Sequence, residues 1–287
     1  MKFTLAPAMI PLDQLVPLAR TAEECGFSAV ALPDSVFFSE RAAVKYPYTP
    51  DGQRMWNEET PFADPLIEAA AMGAVTESLV HRTNVLKLGS RNPLLLARQI
   101  ATVANLTQGR FELGVGVGWA PEEFEWCGVP YERRGARVDE MIEVLRLVLG
   151  GGMVEHHGEF YDFGKLRVSP APPREVPFII GGHTDAALRR AARVGDGWTS
   201  ALMPFDDLVR TMARLHELRA EFGTAGRPFE IQASGAALQG ADGYAGLADA
   251  GVTDVTVAPW AGKGLAVDCP VEAKRDALRE FAAEHIG

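Results

Sequence analysis

The feature that most constrains the fold is an alternation of short apolar runs with longer helical patterns along all 287 residues. Eight runs have the length of buried strands, and a helical pattern follows each: KFTLAPAM, SAVALP, TNVLKL, FELGVGV, VPFIIGG, DGWTS, PFEIQAS and VTDVTVAP. Eight units in a chain close to the usual length of about 250 residues predict an α/β fold, a (β/α)8 TIM barrel, because a doubly wound sheet holds fewer units. The chain lacks a Ser/Gly linker or a break in composition, so we expect one domain over residues 1–287.

One segment departs from this repeat. Residues 153–173, MVEHHGEFYDFGKLRVSPAPP, follow the fourth helix and end in a proline-rich connector. The pattern predicts a β-hairpin insertion after the fourth helix. The neighbouring His156 and His157 would point to opposite faces of a strand without a second pair of ligands, so we predict no metal site.

Charge and composition narrow the partners. The chain has 28 Lys and Arg against 38 Asp and Glu, a formal net charge of −10, which disfavours nucleic acid as the main partner. A local cluster of Arg133, Arg134 and Arg137 could still hold one small anion. Three widely spaced cysteines suit a reducing cytosol. No signal-like start and no run of about 18 apolar residues occurs, so we expect a cytoplasmic protein without a membrane partner.

Glycines dominate the end of the fourth strand, in FELGVGVGW. The spacing of Gly114, Gly116 and Gly118 is not the G-x-G-x-x-G of a dinucleotide-binding loop. Two interpretations stay open. The glycines relieve crowding at the end of a barrel strand, or bare backbone supports a flat ligand such as a flavin ring, with Trp119 as a wall.

The best candidate for an anion site follows the fifth strand, in IIGGHT. Gly181 and Gly182 let backbone approach a ligand, and Thr184 can cap a helix whose N–H groups favour a phosphate. His183 follows the glycine pair and is a candidate ligand contact. The alternative is a plain strand-to-helix turn, but within a barrel we favour phosphate because ligands bind at the strand ends.

Candidates for acid/base chemistry are few. Asp34, directly after the second strand, is the one catalytic residue that we name. Glu122 and Glu123 follow Pro121, a pattern that favours stabilisation of a helix N-terminus over acid/base catalysis. The long segment over residues 34–61 is either a substrate lid or a packed surface loop.

Together, several segments resemble the bacterial luciferase-like monooxygenase superfamily, in its branch of probable F-420-dependent (deazaflavin) oxidoreductases. The matching segments, in this order, are LARTAEECGFSAVALPDS, TNVLKLGSRNPLLLARQIATVANLTQGRFELGVGVGW, FEWCGVPYERRGARVDEMIEVLRLVL, HGEFYDF, SPAPP with VPFIIGG, and ALRRAARVGDGW. The resemblance implies a TIM barrel that binds coenzyme F-420 or FMN, acts on a small-molecule substrate and forms a homodimer.

The resemblance also implies cofactor-binding residues. Asn84 and Val85 match a position where the family often has a non-prolyl cis peptide behind the ring. Gly116, Val117, Gly118 and Trp119 match a segment that lines the ring and the ribityl chain. Gly181, Gly182 and His183 match the segment that binds the cofactor phosphate.

Two departures from the family pattern bear on function and fold. Where many relatives have Asp-His after the second strand, this chain has Asp34-Ser35, which puts sugar-phosphate dehydrogenase activity in doubt. HRT (residues 81–83) replaces the usual LGT, so we expect the start of the third strand to be shifted or irregular.

From this resemblance, the leading hypothesis is hydride transfer between F-420 and a small organic substrate. The first alternative is an FMN-dependent monooxygenase that uses O2 and receives reduced flavin from a separate flavin reductase. The second alternative is a barrel without catalysis that serves as a flavin-binding or structural subunit.

Overall fold

The strands form a closed parallel barrel. The computed structural model describes residues 1–234 and 240–287. Its strands are β1 (Lys2–Leu5), β2 (Ala29–Leu32), β3 (Val80–Thr83), β4 (Leu86–Lys87), β5 (Phe111–Gly116), β6 (Val154–His157), β7 (Asp162–Leu166), β8 (Phe178–Gly181), β9 (Gly197–Thr199), β10 (Glu230–Ser234) and β11 (Asp254–Val257). Barrel neighbours run β1-β2-β3-β5-β8-β9-β10-β11, and β11 pairs with β1 to close the ring. The predicted (β/α)8 fold is confirmed.

Helices alternate with these strands. They are α1 (Leu15–Glu24), α2 (Pro65–Gly73), α3 (Pro93–Leu106), α4 (Pro121–Glu125), α5 (Arg134–Leu149), α6 (Asp185–Val194), α7 (Phe205–Glu221), α8 (Ala241–Asp249), α9 (Pro259–Gly262) and α10 (Val271–His285). The start of α3 is encoded locally, because the Asn92 side chain accepts hydrogen bonds from the N–H groups of Leu94 and Leu95. None of the helices in the described ranges combines the length and the apolar character that a membrane crossing requires.

The insertion after the fourth barrel helix is also confirmed. β6 and β7 pair antiparallel directly after α5. His156 lies 3.1 Å from a carboxylate oxygen of Glu140, and His157 lies 2.5 Å from Asp162. In the part of the chain that the structure describes, no group of three or more His, Cys, Asp or Glu residues is arranged to hold a metal ion.

The third barrel strand is not where we predicted it. The prediction was TNVLKL, residues 83–88, but β3 is Val80–Thr83 and only the short β4 follows, along β5. β3 pairs in regular register with β2, so its start is shifted rather than irregular. The reason is that β3 carries two buried polar residues, His81 and Arg82. It therefore lacks the apolar run from which the sequence pattern predicts a buried strand.

Charged side chains meet at the amino ends of the strands. Arg82, only 2% exposed, donates hydrogen bonds of 2.9 Å to Glu112 and to Asp254. Its guanidinium also lies 3.5 Å from Glu230. The hydroxyl of Thr4 donates to Asp254 at 2.8 Å. We call Arg82, Glu112, Glu230 and Asp254 the base cluster, in which the buried cation has acidic partners on three other strands.

Candidate functional site

A cavity of about 1440 Å³ opens at the carboxyl ends of the barrel strands. Gly116 at the end of β5, Gly181 at the end of β8 and Thr199 at the end of β9 contribute to its lining. In (β/α)8 enzymes the active site lies at this end of the barrel. The volume exceeds the roughly 300–1,000 Å³ of an ordinary small-molecule pocket. The cavity is therefore the candidate active site, with room for more than one ligand.

Asn84 and Val85, which we call the Val85 bulge, line this cavity between β3 and β4. The peptide bond that joins them is cis, as the family resemblance predicted. A Cβ atom on Gly116 would lie 2.7 Å from Cγ2 of Val85, and one on Gly181 would lie 3.0 Å from Cγ1. A Cβ on Gly114 would lie 1.8 Å from the carbonyl oxygen of Thr83. The crowding interpretation thus has a structural basis, because these glycines accommodate the segment that carries the bulge.

The chain leaves β5 along one wall of the cavity. Val117, Gly118 and Trp119 line it, next to Gly116. Gly118 has a φ of +92°, which favours glycine, and a Cβ there would lie 2.7 Å from the ring of Phe124. The Tyr131 hydroxyl donates to the carbonyl oxygen of Trp119 at 3.0 Å and holds this backbone in place. All four predicted ring-lining residues, 116–119, therefore lie at the cavity.

The chain after β8 forms the opposite wall and leads into α6. Thr184 caps this helix by accepting a hydrogen bond of 3.3 Å from the N–H group of Ala187. The N–H groups of Asp185 and Ala186 are donors of the first turn, which has no intrahelical acceptor for them. A helix N-terminus also carries partial positive charge. This turn therefore has the donors that an anion would need, and anion binding at the segment around Thr184 stays a prediction.

Arg134, the first residue of α5, lines the same cavity. Its guanidinium lies 4.0 Å from the ring centroid of Tyr131, and its Nε donates to the carbonyl oxygen of Gly118 at 3.3 Å. Arg190 of α6 donates to Gly135 at 3.1 Å, which brings the start of α5 against α6. No carboxylate within residues 1–234 and 240–287 pairs with Arg134. We call residues 184–186 together with Arg134 the anion end of the cavity.

His183 presents a fixed hydrogen-bonding pattern. Its Nε2 accepts the N–H group of Ala201 at 2.9 Å, so in the neutral ring the proton is on Nδ1. Burial lowers the pKa of His183, which favours the neutral ring. The Tyr48 ring packs edge-to-face against it, with 5.3 Å between centroids. His183 is therefore a hydrogen-bond donor through Nδ1 at neutral pH, and it lines the cavity as predicted.

Residues 34–61, which we call the lid for their place at the cavity mouth, line the cavity with aromatic rings. The interpretation of this segment as a substrate lid stays a prediction. The Tyr46 ring packs edge-to-face against Trp119 at 5.3 Å and against Trp56 at 5.0 Å. The Tyr48 ring reaches His183 on the other side. The lid therefore spans from the wall after β5 to the wall after β8.

Buried ion pairs join the lid to the barrel. Asp34, 2% exposed, accepts two hydrogen bonds of 2.8 and 2.9 Å from Arg91 and one of 2.8 Å from the N–H group of Lys87. The Lys87 ammonium donates to Glu123 at 2.6 Å, and Glu123 accepts the N–H group of Val36 at 3.2 Å. Both carboxylate oxygens of Asp34 accept hydrogen bonds from the barrel, so this residue is suited to hold the lid in position. Its role as a catalytic group stays a prediction.

Glu122 of α4 also holds the lid, a contact that the sequence does not indicate. Glu122 is buried and accepts the N–H group of Ala43 in the lid at 2.6 Å. The sequence pattern predicts that Glu122 and Glu123 stabilise the helix N-terminus, and the structure adds that they accept hydrogen bonds from the lid backbone. No residue pattern reveals such a contact, because a backbone N–H group is available at almost every position.

Comparisons with known proteins agree with this architecture. The sequence model of the family described as Luciferase-like monooxygenase matches residues 3–253. An uncharacterized protein of Mycobacterium tuberculosis is 44% identical over 257 residues, which cover 90% of this chain and 88% of the relative. A protein of Nakamurella multipartita named F-420-dependent glucose-6-phosphate dehydrogenase is 31% identical over 223 residues, 72% of this chain and 61% of its own length. The crystal structure of a monooxygenase from Streptomyces bottropensis shares the fold, with a TM-score of 0.79 at 20% identity over 100% of this chain and 99% of its own.

Proposed function

This chain belongs to the luciferase-like monooxygenase family and is an oxidoreductase of that family, and we propose that its cavity binds coenzyme F-420 for hydride transfer to or from a small organic substrate. The observation that carries this proposal is a cavity with two chemically different ends. One is the anion end, at α6 and Arg134. The other is the wall of residues 116–119, covered by the aromatic lid.

The residues present fit a ring compound that carries a phosphate. The N–H groups of Asp185 and Ala186 suit phosphate oxygens at a helix N-terminus. The guanidinium of Arg134 adds a charge-assisted donor without the loss of an internal ion pair. The backbone of residues 116–119 and the Val85 bulge would support the ring, and Nδ1 of His183 would donate a hydrogen bond to it or to its chain.

The bound deazaflavin would supply the hydride chemistry, and the protein would supply position and a dry site. The lid would exclude water from the cavity mouth through its rings. The Asp34–Arg91 and Lys87–Glu123 pairs would hold the lid and β4 in position. A cavity at the barrel mouth supports catalysis over the structural-subunit alternative, for which a packed mouth would be expected.

Two observations support F-420 over FMN. The Nakamurella multipartita relative is named as F-420-dependent. In addition, Arg133 and Arg134 both line the cavity, and Arg133 lies at its edge in an exposed ion pair with Glu159, which solvent weakens. F-420 carries an acidic tail beyond its phosphate that FMN lacks, and two arginines at the exit suit such a tail.

Titration of the purified protein with F-420 and with FMN, followed by fluorescence, tests the proposal. We expect F-420 to bind more tightly than FMN. Submicromolar binding of FMN without binding of F-420 would favour the monooxygenase alternative and contradict the proposal. We also propose a homodimer, which light scattering would contradict by showing a monomer at micromolar concentration.

A further inference from the structure

The part of the cavity beneath the lid is walled by aromatic rings. In this region the Tyr46 ring packs against Trp56 of the lid and against Trp119 of the barrel wall, and all three residues line the cavity. The interplanar angles are 88° between Tyr46 and Trp56 and 75° between Tyr46 and Trp119. Edge-to-face rings offer both faces and edges to a further flat group, which aromatic systems bind well.

Two hydroxyl groups add polar atoms to this wall. Tyr46 and Tyr48 line the cavity, and neither hydroxyl forms a hydrogen bond with the residues that the structure describes. The hydroxyl of Tyr131, by contrast, is engaged with the backbone of Trp119. Burial, together with Tyr48, raises the pKa of Tyr46 to about 12, so its hydroxyl stays protonated. Unengaged phenol groups suit a carbonyl or hydroxyl oxygen of a ligand.

The charged groups in this region, apart from Arg134 at the anion end, are paired or exposed. Lys87 is paired with Glu123 at 2.6 Å, and Asp34 is paired with Arg91 at 2.8 Å. Lys45 of the lid lines the cavity but is exposed, where solvent and salt screen its charge. In the proposed function the cofactor phosphate engages Arg134, which lies beside Gly118. On the protein loaded with F-420, a charged ligand under the lid would therefore lose hydration without gaining a buried counter-ion. This region therefore favours a neutral ligand.

We propose that the lid binds the organic substrate as a neutral, planar molecule with one carbonyl or hydroxyl oxygen. Its flat face packs among Tyr46, Trp56 and Trp119, and its oxygen accepts or donates hydrogen bonds at the hydroxyls of Tyr46 and Tyr48. This inference rests on the proposed function, because it names the substrate class of the same site. It also separates this chain from enzymes of sugar phosphates, whose substrate would need a second cationic clamp.

Binding of three ketones tests the proposal, measured by saturation-transfer NMR on the protein loaded with F-420 and on the coenzyme-free protein. Acetophenone is neutral and planar, cyclohexyl methyl ketone keeps the oxygen without the planar ring, and para-acetylbenzoate adds a charge. We expect acetophenone to bind about tenfold or more tightly than para-acetylbenzoate, with cyclohexyl methyl ketone also weaker than acetophenone. The double variant Tyr46→Phe/Tyr48→Phe should weaken acetophenone about 3- to 10-fold, a larger factor than any loss in the affinity for F-420, because both rings stay in place.

Tyr161→Phe is the matched control. Its hydroxyl lies in the hairpin insertion against the sulfur of Met141, so we expect no change for any ketone. Equal or tighter binding of para-acetylbenzoate would overturn the proposal, as would an unchanged acetophenone affinity in a folded double variant. Acetophenone binding to a protein that binds neither F-420 nor FMN would instead overturn the proposed function and leave the inference about the lid standing.

Discussion

The two ends of the barrel use charged residues in opposite ways. At the base, Arg82 is surrounded by Glu112, Asp254 and Glu230, so the buried cation is matched by acids on other strands. At the mouth, Arg134 lacks a carboxylate partner within the described ranges, and the first turn of α6 keeps donors without an intrahelical acceptor. The charged groups of the base cluster pair with one another, whereas the mouth keeps hydrogen-bond donors that a ligand can use.

This difference assigns stability to one end and binding to the other. A buried charge that loses its partner is costly, so the base cluster should tolerate little change. Groups without a protein partner at the mouth contribute little to folding, so their removal should lower affinity instead. Substitutions at either end of the barrel test this contrast.

Replacement of Arg82 should destabilise the fold most. In Arg82→Met, three acidic side chains lose their buried cation, and we expect the free energy of unfolding to fall by about 3–5 kcal/mol. Urea denaturation measures this loss. Arg210→Met is the control, since Arg210 is 70% exposed beside Asp207 and should cost no more than about 0.5 kcal/mol. Similar losses in both variants would show that the base cluster has no special role.

The free energy of unfolding should depend on pH through His81, which precedes Arg82 in β3. Burial, with Arg110 nearby, lowers the pKa of His81 to about 4. A histidine with a lowered folded pKa contributes stability above its unfolded pKa of about 6.5, and this stability is lost as pH falls toward the folded value. The shift corresponds to about 3 kcal/mol.

Urea denaturation at several values between about pH 7 and pH 4 measures the effect of His81. The difference in unfolding free energy between wild type and His81→Gln should shrink or reverse toward acid by about 3 kcal/mol, because only the wild type must charge a buried ring. A pH-independent difference between the two proteins would contradict the burial of a neutral His81.

At the mouth, Arg134→Gln should weaken binding of F-420 by about 10- to 100-fold, the value of a lost charge-assisted hydrogen bond. Stability should change little because Arg134 has no acidic partner in the described structure. The control is Arg137→Gln on the same helix, where the side chain donates to the carbonyl oxygen of Pro130 instead. Equal losses of affinity in both variants would point to a diffuse electrostatic effect in place of an anion end.

The fold was largely predictable because its signals are local. Asn92 and Pro93 mark the start of α3, and the repeat of strand and helix patterns predicts the barrel. Long-range pairing was not predictable. β3 carries Arg82 in a buried position because acids from three other strands surround it, and no window around HRT contains that information.

The position of the candidate site was predictable from the sequence, but the contacts that hold the lid were not. Gly116, Gly182 and His183 line the cavity, as expected from strand ends and family resemblance. The lid anchors at Glu122 and Glu123 use backbone N–H groups as partners, which leave no trace in the sequence. The role of the glycines at the end of β5 was also not predictable. A glycine that supports a ligand and a glycine that makes room for a neighbouring side chain look the same in the sequence.

The smallest expected effect separates those two roles of glycine. From the sequence alone, a bulky residue at position 116 should block the cofactor and leave the fold intact. The structure places Cγ2 of Val85 2.7 Å from a Cβ on Gly116, so Gly116→Ala should displace the bulge and cost about 1–3 kcal/mol of unfolding free energy.

In Gly116→Ala/Val85→Ala the missing Cγ atoms make room, and the combined loss should be smaller than the sum of the single losses. Urea denaturation of the four proteins in this cycle, with F-420 titrations beside it, measures both roles. Unchanged stability of Gly116→Ala with weaker binding of F-420 would mean that Gly116 serves the ligand alone, whereas coupling with Val85→Ala would mean that the glycine first serves Val85 and shapes the cavity through it.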